Sequence, residues 1–232
     1  MSRARQTVTL TADLVILTIR GGVLCVLLVE RKNEPFQSRM ALPGGFLRGD
    51  ESLEETAARE LAEETGLDAE ALKLQQVGVY SAPDRDPRRP RVVTCAYLAI
   101  APNLPVPVAG SDARAAHWMP VAEATDTALA FDHARILADA VELARTLLQF
   151  STIATAFCGP EFTIADMREV YEAVWGVVLD KPNFHRKVTD ADGFVVPTGG
   201  KRPSLTGRPA ALYRAGEAAE LVPPMMRSRF GA

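Results

Sequence analysis

Residues 44–67 read GGFLRGDESLEETAARELAEETGL. Ser52 and Glu55 are spaced as a capping box, so a helix begins here. Leu53, Ala57 and Leu61 recur every four residues and give that helix one apolar face. Gly66 followed by Leu67 supplies the residue types found where a helix stops, and the opening Gly44-Gly45 pair reads as a turn. Glu60, Glu63 and Glu64 therefore fall in the last turns, at i, i+3 and i+4 on a shared face. Like charges four residues apart cost about 0.2–0.5 kcal/mol per pair, and acids at a helix C-terminus oppose the macrodipole by about 0.3–1 kcal/mol. Stability alone disfavours this arrangement. A cation site requires it.

The 232 residues are 47% hydrophobic and 24% charged, the balance of a globular chain with one or two domains. A formal net charge of −3 argues against a uniformly basic nucleic-acid binder. Cys25, Cys95 and Cys158 are far apart and form no C-x-x-C pair, which suggests reduced thiols rather than disulfides or a zinc site. The apolar run Val23–Val29 is too short for a bilayer, which needs about 20 residues. MSRARQTVTL lacks the apolar core of a signal peptide, so a cytoplasmic location with no membrane partner is expected.

Residues 7–30 read as strands, with two apolar runs joined by Gly21-Gly22 as a hairpin. Residues 73–80 and 91–100 read as two more strands, separated by the polar loop SAPDRDPRRP. HWMPVAEA (117–124) reads as a last strand and turn, and 131–150 carries a helical pattern. Strands flanked by a few helices predict an α/β or α+β domain over residues 1–150. Beyond it, Thr163 caps a helix running to about Val174, and Asp180-Lys181-Pro182 opens a shorter one with Phe184 and Val188 inward. FVVPTGGKRPSLTGRPAALYRA then reads as two short strands around a basic loop. Helix, turn, helix and hairpin outline a winged helix over 151–232.

Gly45, Glu51 and Arg59-Glu60-Leu61-Ala62-Glu63-Glu64-Thr65-Gly66-Leu67, with gaps of five and seven residues, match the Nudix box at every fixed position. The chain thus resembles the Nudix hydrolases, which implies an α/β/α sandwich and cleavage of a nucleoside diphosphate linked to another group. Divalent ions held by glutamates offset the substrate's negative charge in such chemistry. The resemblance implies Mg²⁺ or Mn²⁺ on Glu60 and Glu64, with Glu63 and the Gly44 carbonyl as further ligands. It also implies that Arg59 orients the carboxylates through Glu51, with Glu51 a structural partner. The general base is not assigned; Asp132 and His133 are candidates, although a capping role suits either better. The loop YSAPDRDPRRPRVV resembles the corresponding segment of ADP-ribose-recognising Nudix proteins. There Arg85 suits a phosphate or ribose-phosphate oxygen by its fork geometry, and Arg31 in VERKNEPF is a second candidate. For each arginine the plain alternative is a solvated surface position.

Between 183 and 214 six basic residues face two acids, Asp190 and Asp192. Arg186 and Lys187 on the second helix suit base edges or phosphates in the major groove, as does Asn183 from its start. Lys201, Arg202 and Arg208 in the hairpin suit backbone contacts. FTIADMREVYEAVWG, DKPNFHRKV and GRPAALYR resemble the C-terminal domain of the Nudix-related transcriptional regulators of NAD metabolism. That resemblance implies a homodimer whose Nudix domain senses ADP-ribose, or a related NAD product, and thereby loosens its hold on double-stranded operator DNA. Many such regulators carry a degraded Nudix box. Here the box is complete, which leaves room for hydrolysis of ADP-ribose to AMP and ribose 5-phosphate. Two readings stand: a repressor with retained hydrolysis, and a pyrophosphatase whose tail is structural or serves dimerisation. A Nudix enzyme for oxidised nucleotides or dinucleoside polyphosphates is a third, which the Arg-Asp-Pro loop disfavours.

Overall fold

In a computed structural model of the chain the described residues are 7–65, 74–100, 102, 113–203 and 209–227, the side chains of 64, 65, 113 and 114 excepted. Gly21 and Gly22 both take positive φ, 57° and 78°, as a two-residue hairpin turn demands. They join β1 (Val8–Arg20) to β2 (Val23–Arg31). The central residues of both strands are buried without alternation, so this hairpin lies inside the sheet rather than on its surface. β5 (Gln75–Tyr80) and β6 (Arg91–Ile100) follow the acidic helix α1 (Leu53–Thr65). β6 pairs with β1 in parallel, from Val8 opposite Arg91 to Leu17 opposite Ile100.

Among the described residues the sheet has seven strands, with the path β3-β2-β1-β6-β5, where β3 is Met40–Ala41. β7 (Ala113–Pro120) pairs antiparallel with β2. β4 (Gly44–Phe46) pairs antiparallel with β1, Thr11 opposite Phe46 and Asp13 opposite Gly44. Gly44-Gly45 is therefore strand, not the turn its composition predicts. Glycine within a strand marks a close approach of another group. A Cβ on Gly44 would lie 2.5 Å from the Ala12 carbonyl oxygen and 2.7 Å from Asp13 Oδ1. The expected turn after HWMP is also more regular than its sequence suggests: Val121–Asp126 forms the short helix α2.

Helix α3 (His133–Phe150) buries Ile136, Leu137, Val141 and Leu148 of its apolar pattern together with Ala140 and Ala144, while Leu143 and Leu147 are half-buried. Contacts divide the chain into two units, the second holding Thr18–Leu24 and the residues from Val141 onward, so one boundary falls within this helix.

In the second unit, Ile153–Phe157 is a 3₁₀ turn ahead of α4 (Ile164–Trp175). Thr163 caps α4 through a reciprocal box: its Oγ accepts from the Asp166 amide at 3.1 Å, and its own amide donates to Asp166 Oδ2 at 2.8 Å. α5 (Lys181–Asp190) is capped by Asp180, which accepts from the Asn183 amide, and Pro182 stands in its first turn. Tyr171 packs edge-on to Trp175 and Phe184, and all three rings are fully buried. Strands β8 (Val195–Arg202) and β9 (Ala210–Ala215) close the unit as an antiparallel hairpin. Helix, turn, helix and hairpin are thus present in the predicted order. Cys25, Cys95 and Cys158 are buried reduced thiols, and burial pushes the Cys158 thiol up to about 12.

Candidate functional site

The first turn of α1 is built as its sequence predicts. The Ser52 amide donates to Glu55 Oε2 at 2.6 Å, and the Glu55 amide donates to Ser52 Oγ at 3.1 Å. Ala57 and Leu61 are fully buried, which turns the acidic stripe away from the core. Arg59 ties that stripe together: Nε and Nη2 donate to Glu51 Oε1 and Oε2 at 2.7 and 3.1 Å, and Nη1 donates to Glu60 Oε1 at 2.6 Å. The Arg59 fork holds the Glu51 carboxyl down to about 2, helped by the Thr56 hydroxyl and the Arg48 amide. The same pairing, with Glu60 adding to it, raises the Arg59 guanidinium further above its ordinary value.

Glu60 is buried, although carboxylates rarely are. Its seat is made by Gly45: a Cβ there would lie 2.5 Å from the Glu60 carboxyl carbon and overlap Oε1. β4 thus brings bare backbone against α1, and only glycine leaves room for the carboxylate. Glu63, next to Glu60 on the helical face, lies 3.5 Å from both Arg59 Nη1 and Arg48 Nη1.

Beside these carboxylates opens a cleft of about 410 Å³. Gly44, Glu60, Glu63, Arg31 and Arg85 all line it, so one space gathers five predicted residues from three separate segments. Glu51 and Arg59 stand behind Glu60 rather than in the lining. The Glu64 side chain lies outside the described residues, although its backbone belongs to α1. Arg85 is neither a solvated surface arginine nor an unengaged fork. Its side chain is 3% exposed and grips Asp132 through Nε at 3.0 Å and Nη2 at 2.7 Å, with Asp13 Oδ2 3.4 Å from Nη2.

Arg88, in the same loop, faces the cleft. It donates to Asp86 Oδ2 at 2.5 Å, and its guanidinium lies 5.0 Å from the Phe131 centroid and 5.1 Å from that of Phe46. Burial favours the neutral Asp86 acid, but the Arg88 hydrogen bonds and charge outweigh it and hold the carboxyl below its ordinary value. Arg31 places its guanidinium 4.7 Å from the Phe131 centroid and donates through Nε to the Pro35 carbonyl at 2.9 Å.

The two candidate bases are otherwise engaged. Asp132 takes the Arg85 fork, and His133 Nδ1 accepts the Leu42 amide at 2.9 Å, so neither side chain serves α3 as the expected cap. Burial lowers the His133 imidazole below its ordinary value. With Nδ1 accepting, the neutral ring carries its proton on Nε2, 3.7 Å from Asp13 Oδ2.

In the second unit, α5 exposes Arg186, whose Nη2 donates to Asn183 Oδ1 at 3.1 Å, while Lys187 is half-buried. The hairpin exposes Lys201 and Arg202, and Arg202 Nη1 meets Asp166 at 3.0 and 2.7 Å. Arg208 lies outside the described residues.

Comparison with known families agrees with this two-part layout. Residues 8–140 match the NUDIX domain model, and 154–215 match the NrtR DNA-binding winged helix domain model. The chain is a NUDIX-family protein with an NrtR winged helix. It is 32% identical to the ADPR responsive transcriptional repressor NtrR of Acinetobacter baylyi, over 88% of this chain and 81% of that one. It is 42% identical to an ADP-ribose pyrophosphatase of Methanocaldococcus jannaschii, over 49% of this chain and 64% of that protein. The Shewanella oneidensis NrtR complexed with a 27mer DNA superposes with a TM-score of 0.78 at 34% identity, covering 89% of this chain and 93% of that one. The NUDIX domain of the same Shewanella protein, complexed with ADP ribose, gives 0.55 at 34% identity over 61% of this chain and 91% of its own.

Within the Nudix domain, Asp13, Arg88 and Phe131 are cleft residues that the sequence does not single out by motif. Asp13 does leave a trace: it is a lone charge in the run ADLVILTI, where burial of a carboxylate demands a partner. Phe131 takes φ 55°, uncommon for an aromatic residue, and nothing in its neighbours' identities predicts that. No helix among the described residues is long and apolar enough to cross a membrane.

Proposed function

We propose that this protein is an ADP-ribose-responsive transcriptional repressor of NAD metabolism, and that its Nudix domain retains metal-dependent ADP-ribose pyrophosphohydrolase activity. The observation that carries the reading is the cleft's two-sided charge. Glu60 and Glu63 share one space with Arg31 and Arg88, an arrangement suited to a diphosphate whose charge a divalent ion would offset. Carboxylate oxygens are hard donors, so Mg²⁺ or Mn²⁺ fits this set. Glu60 and Glu64 are the proposed principal ligands, with Glu63 and the Gly44 carbonyl beside them. When bound, the ion offsets diphosphate charge and favours attack by water.

The chain's own residues do the rest. Arg59, fixed on Glu51, orients Glu60. Arg88 and Arg31 hold the diphosphate or its riboses, while Arg85 shapes the cleft wall through Asp132 and Asp13. The Nudix domain spans 1–150 and the winged helix 151–232. Asn183, Arg186 and Lys187 enter the major groove, while Lys201, Arg202 and Arg208 meet the sugar-phosphate backbone. A homodimer acting on a two-fold operator in the cytoplasm completes the reading. Full-length likeness to a protein solved on DNA supports the DNA-binding half.

One titration tests it: retardation of operator duplex by purified protein, with and without ADP-ribose. Release of the duplex by ADP-ribose is expected, and retention at saturating nucleotide would refute the repressor reading. The second reading, an enzyme first and foremost, draws on the complete Nudix box and the likeness to a pyrophosphatase. AMP and ribose 5-phosphate sampled from the same tubes separate the two. Glu64→Gln is expected to abolish any cleavage; unaltered turnover would remove Glu64 from the metal site.

A further inference from the structure

We propose that Asp166 on α4 is a positioning residue for DNA binding, holding Arg202 of the hairpin at the angle from which it meets a backbone phosphate. This inference rests on the repressor reading. The Asp166 carboxylate is fixed before it meets the arginine, because Oδ2 accepts the Thr163 amide at 2.8 Å in the capping box. Arg202 gives Nη1 alone to that carboxylate, at 3.0 and 2.7 Å. Nε and Nη2 make no other hydrogen bond among the described residues, which leaves donors of the fork available to an anion.

The hairpin and the start of α4 are also joined through backbone. Phe162 and Tyr213 exchange amide hydrogen bonds at 2.9 and 2.8 Å, just before the capping residue Thr163. The arginine and its carboxylate therefore share one local frame. An otherwise mobile side chain, which would have to surrender rotamer freedom on binding, is oriented beforehand.

Simple electrostatics predicts the opposite of this role. An acid on a DNA-binding surface repels phosphate, so removing it should tighten binding. Positioning predicts that removal weakens it. Asp166→Asn keeps an oxygen for the Thr163 amide and discards the charge. The experiment measures affinity for a mixed-sequence duplex across a salt series, since a phosphate contact is independent of sequence. Asp166→Asn is expected to weaken binding about three- to fivefold, the size of one partly exposed charge pair. Arg202→Ala should lower the salt slope by about 1, as loss of one phosphate contact does. The double variant should bind no worse than Arg202→Ala alone. Melting temperature and ADP-ribose affinity report whether each variant is folded, and Arg202→Lys supplies a variant that leaves the cap intact. It should weaken binding while keeping most of the salt slope.

Equal or tighter binding by Asp166→Asn overturns the assignment, and so does a loss that adds to that of Arg202→Ala. If the parent protein binds no duplex at all, the repressor reading fails and this inference fails with it. If the parent binds and Asp166→Asn shows no loss, only the role of Asp166 falls.

Discussion

Gly45 and Glu60 occupy nearly the same space: a Cβ on the glycine would stand 2.5 Å from the Glu60 carboxyl carbon. That closeness makes a strand glycine part of the acidic site. Gly45→Ala should therefore displace the carboxylate while leaving the core intact, because the obstructed group is the end of a flexible side chain. A roughly tenfold or greater loss of Mn²⁺ affinity is expected, the scale seen when a ligand's support is removed. Calorimetric titration with and without ADP-ribose checks it, alongside a melting curve. Parental metal affinity in a folded variant would show that Glu60 does not need this seat.

The Glu51 carboxyl, held at about 2 by Arg59 against an ordinary value of 4.5, gives a pH signature. Its pKa is depressed in the fold, so the stability it contributes is fully present above about 4.5 and is lost as pH falls toward about 2. Glu51→Gln removes that dependence. Melting temperature measured through this window should fall more steeply for the parent than for the variant. Parallel curves would mean that the Glu51–Arg59 pair does not contribute to folding in solution.

Arg85 and Arg88 stand in one loop with opposite expected phenotypes. Arg85 is buried between Asp132 and Asp13, so Arg85→Ala strands two carboxylates and should cost about 3–5 kcal/mol of stability. Arg88 is partly exposed at the cleft but pairs with the buried Asp86, so Arg88→Lys, which keeps a cation beside that carboxylate and loses the fork, should weaken ADP-ribose binding with a far smaller change in melting temperature. Chemical denaturation and nucleotide calorimetry on both variants check this. The reverse pattern would return the phosphate contact to Arg85.

What the sequence discloses follows how local the determining physics is. The capping box at Ser52, the cap at Thr163 and the Gly21-Gly22 hairpin each depend on residues a few positions apart, and each forms as spaced. Gly44-Gly45 misleads because its reason lies elsewhere in the chain, in Asp13 and in Glu60. Arg85 does line the cleft, but its partners were not legible: the carboxylates that hold its fork come from β1 and from the residue before α3. Motif spacing identified Glu60 and Glu63 as neighbours; only the fold brings Arg31, Arg88 and Phe131 to face them.

The exposed basic residues of the winged helix give the last prediction. Arg186 on α5 and Lys201 on β8 are both exposed, and in the proposed complex they differ in what they touch. A cation that contacts only phosphate contributes equally on every sequence, whereas one that reaches a base edge contributes only on the right one. Lys201→Ala should therefore weaken binding to operator and to mixed-sequence duplex alike, with the salt slope reduced by about 1 on both. Arg186→Ala should weaken operator binding more, losing about 1–3 kcal/mol of discrimination if it reads a base. ADP-ribose affinity should be unchanged in both, since neither residue lines the Nudix cleft. Fluorescence anisotropy on the two duplexes across a salt series measures all of this. Equal losses for Arg186→Ala on both duplexes would move that residue from the groove to the backbone.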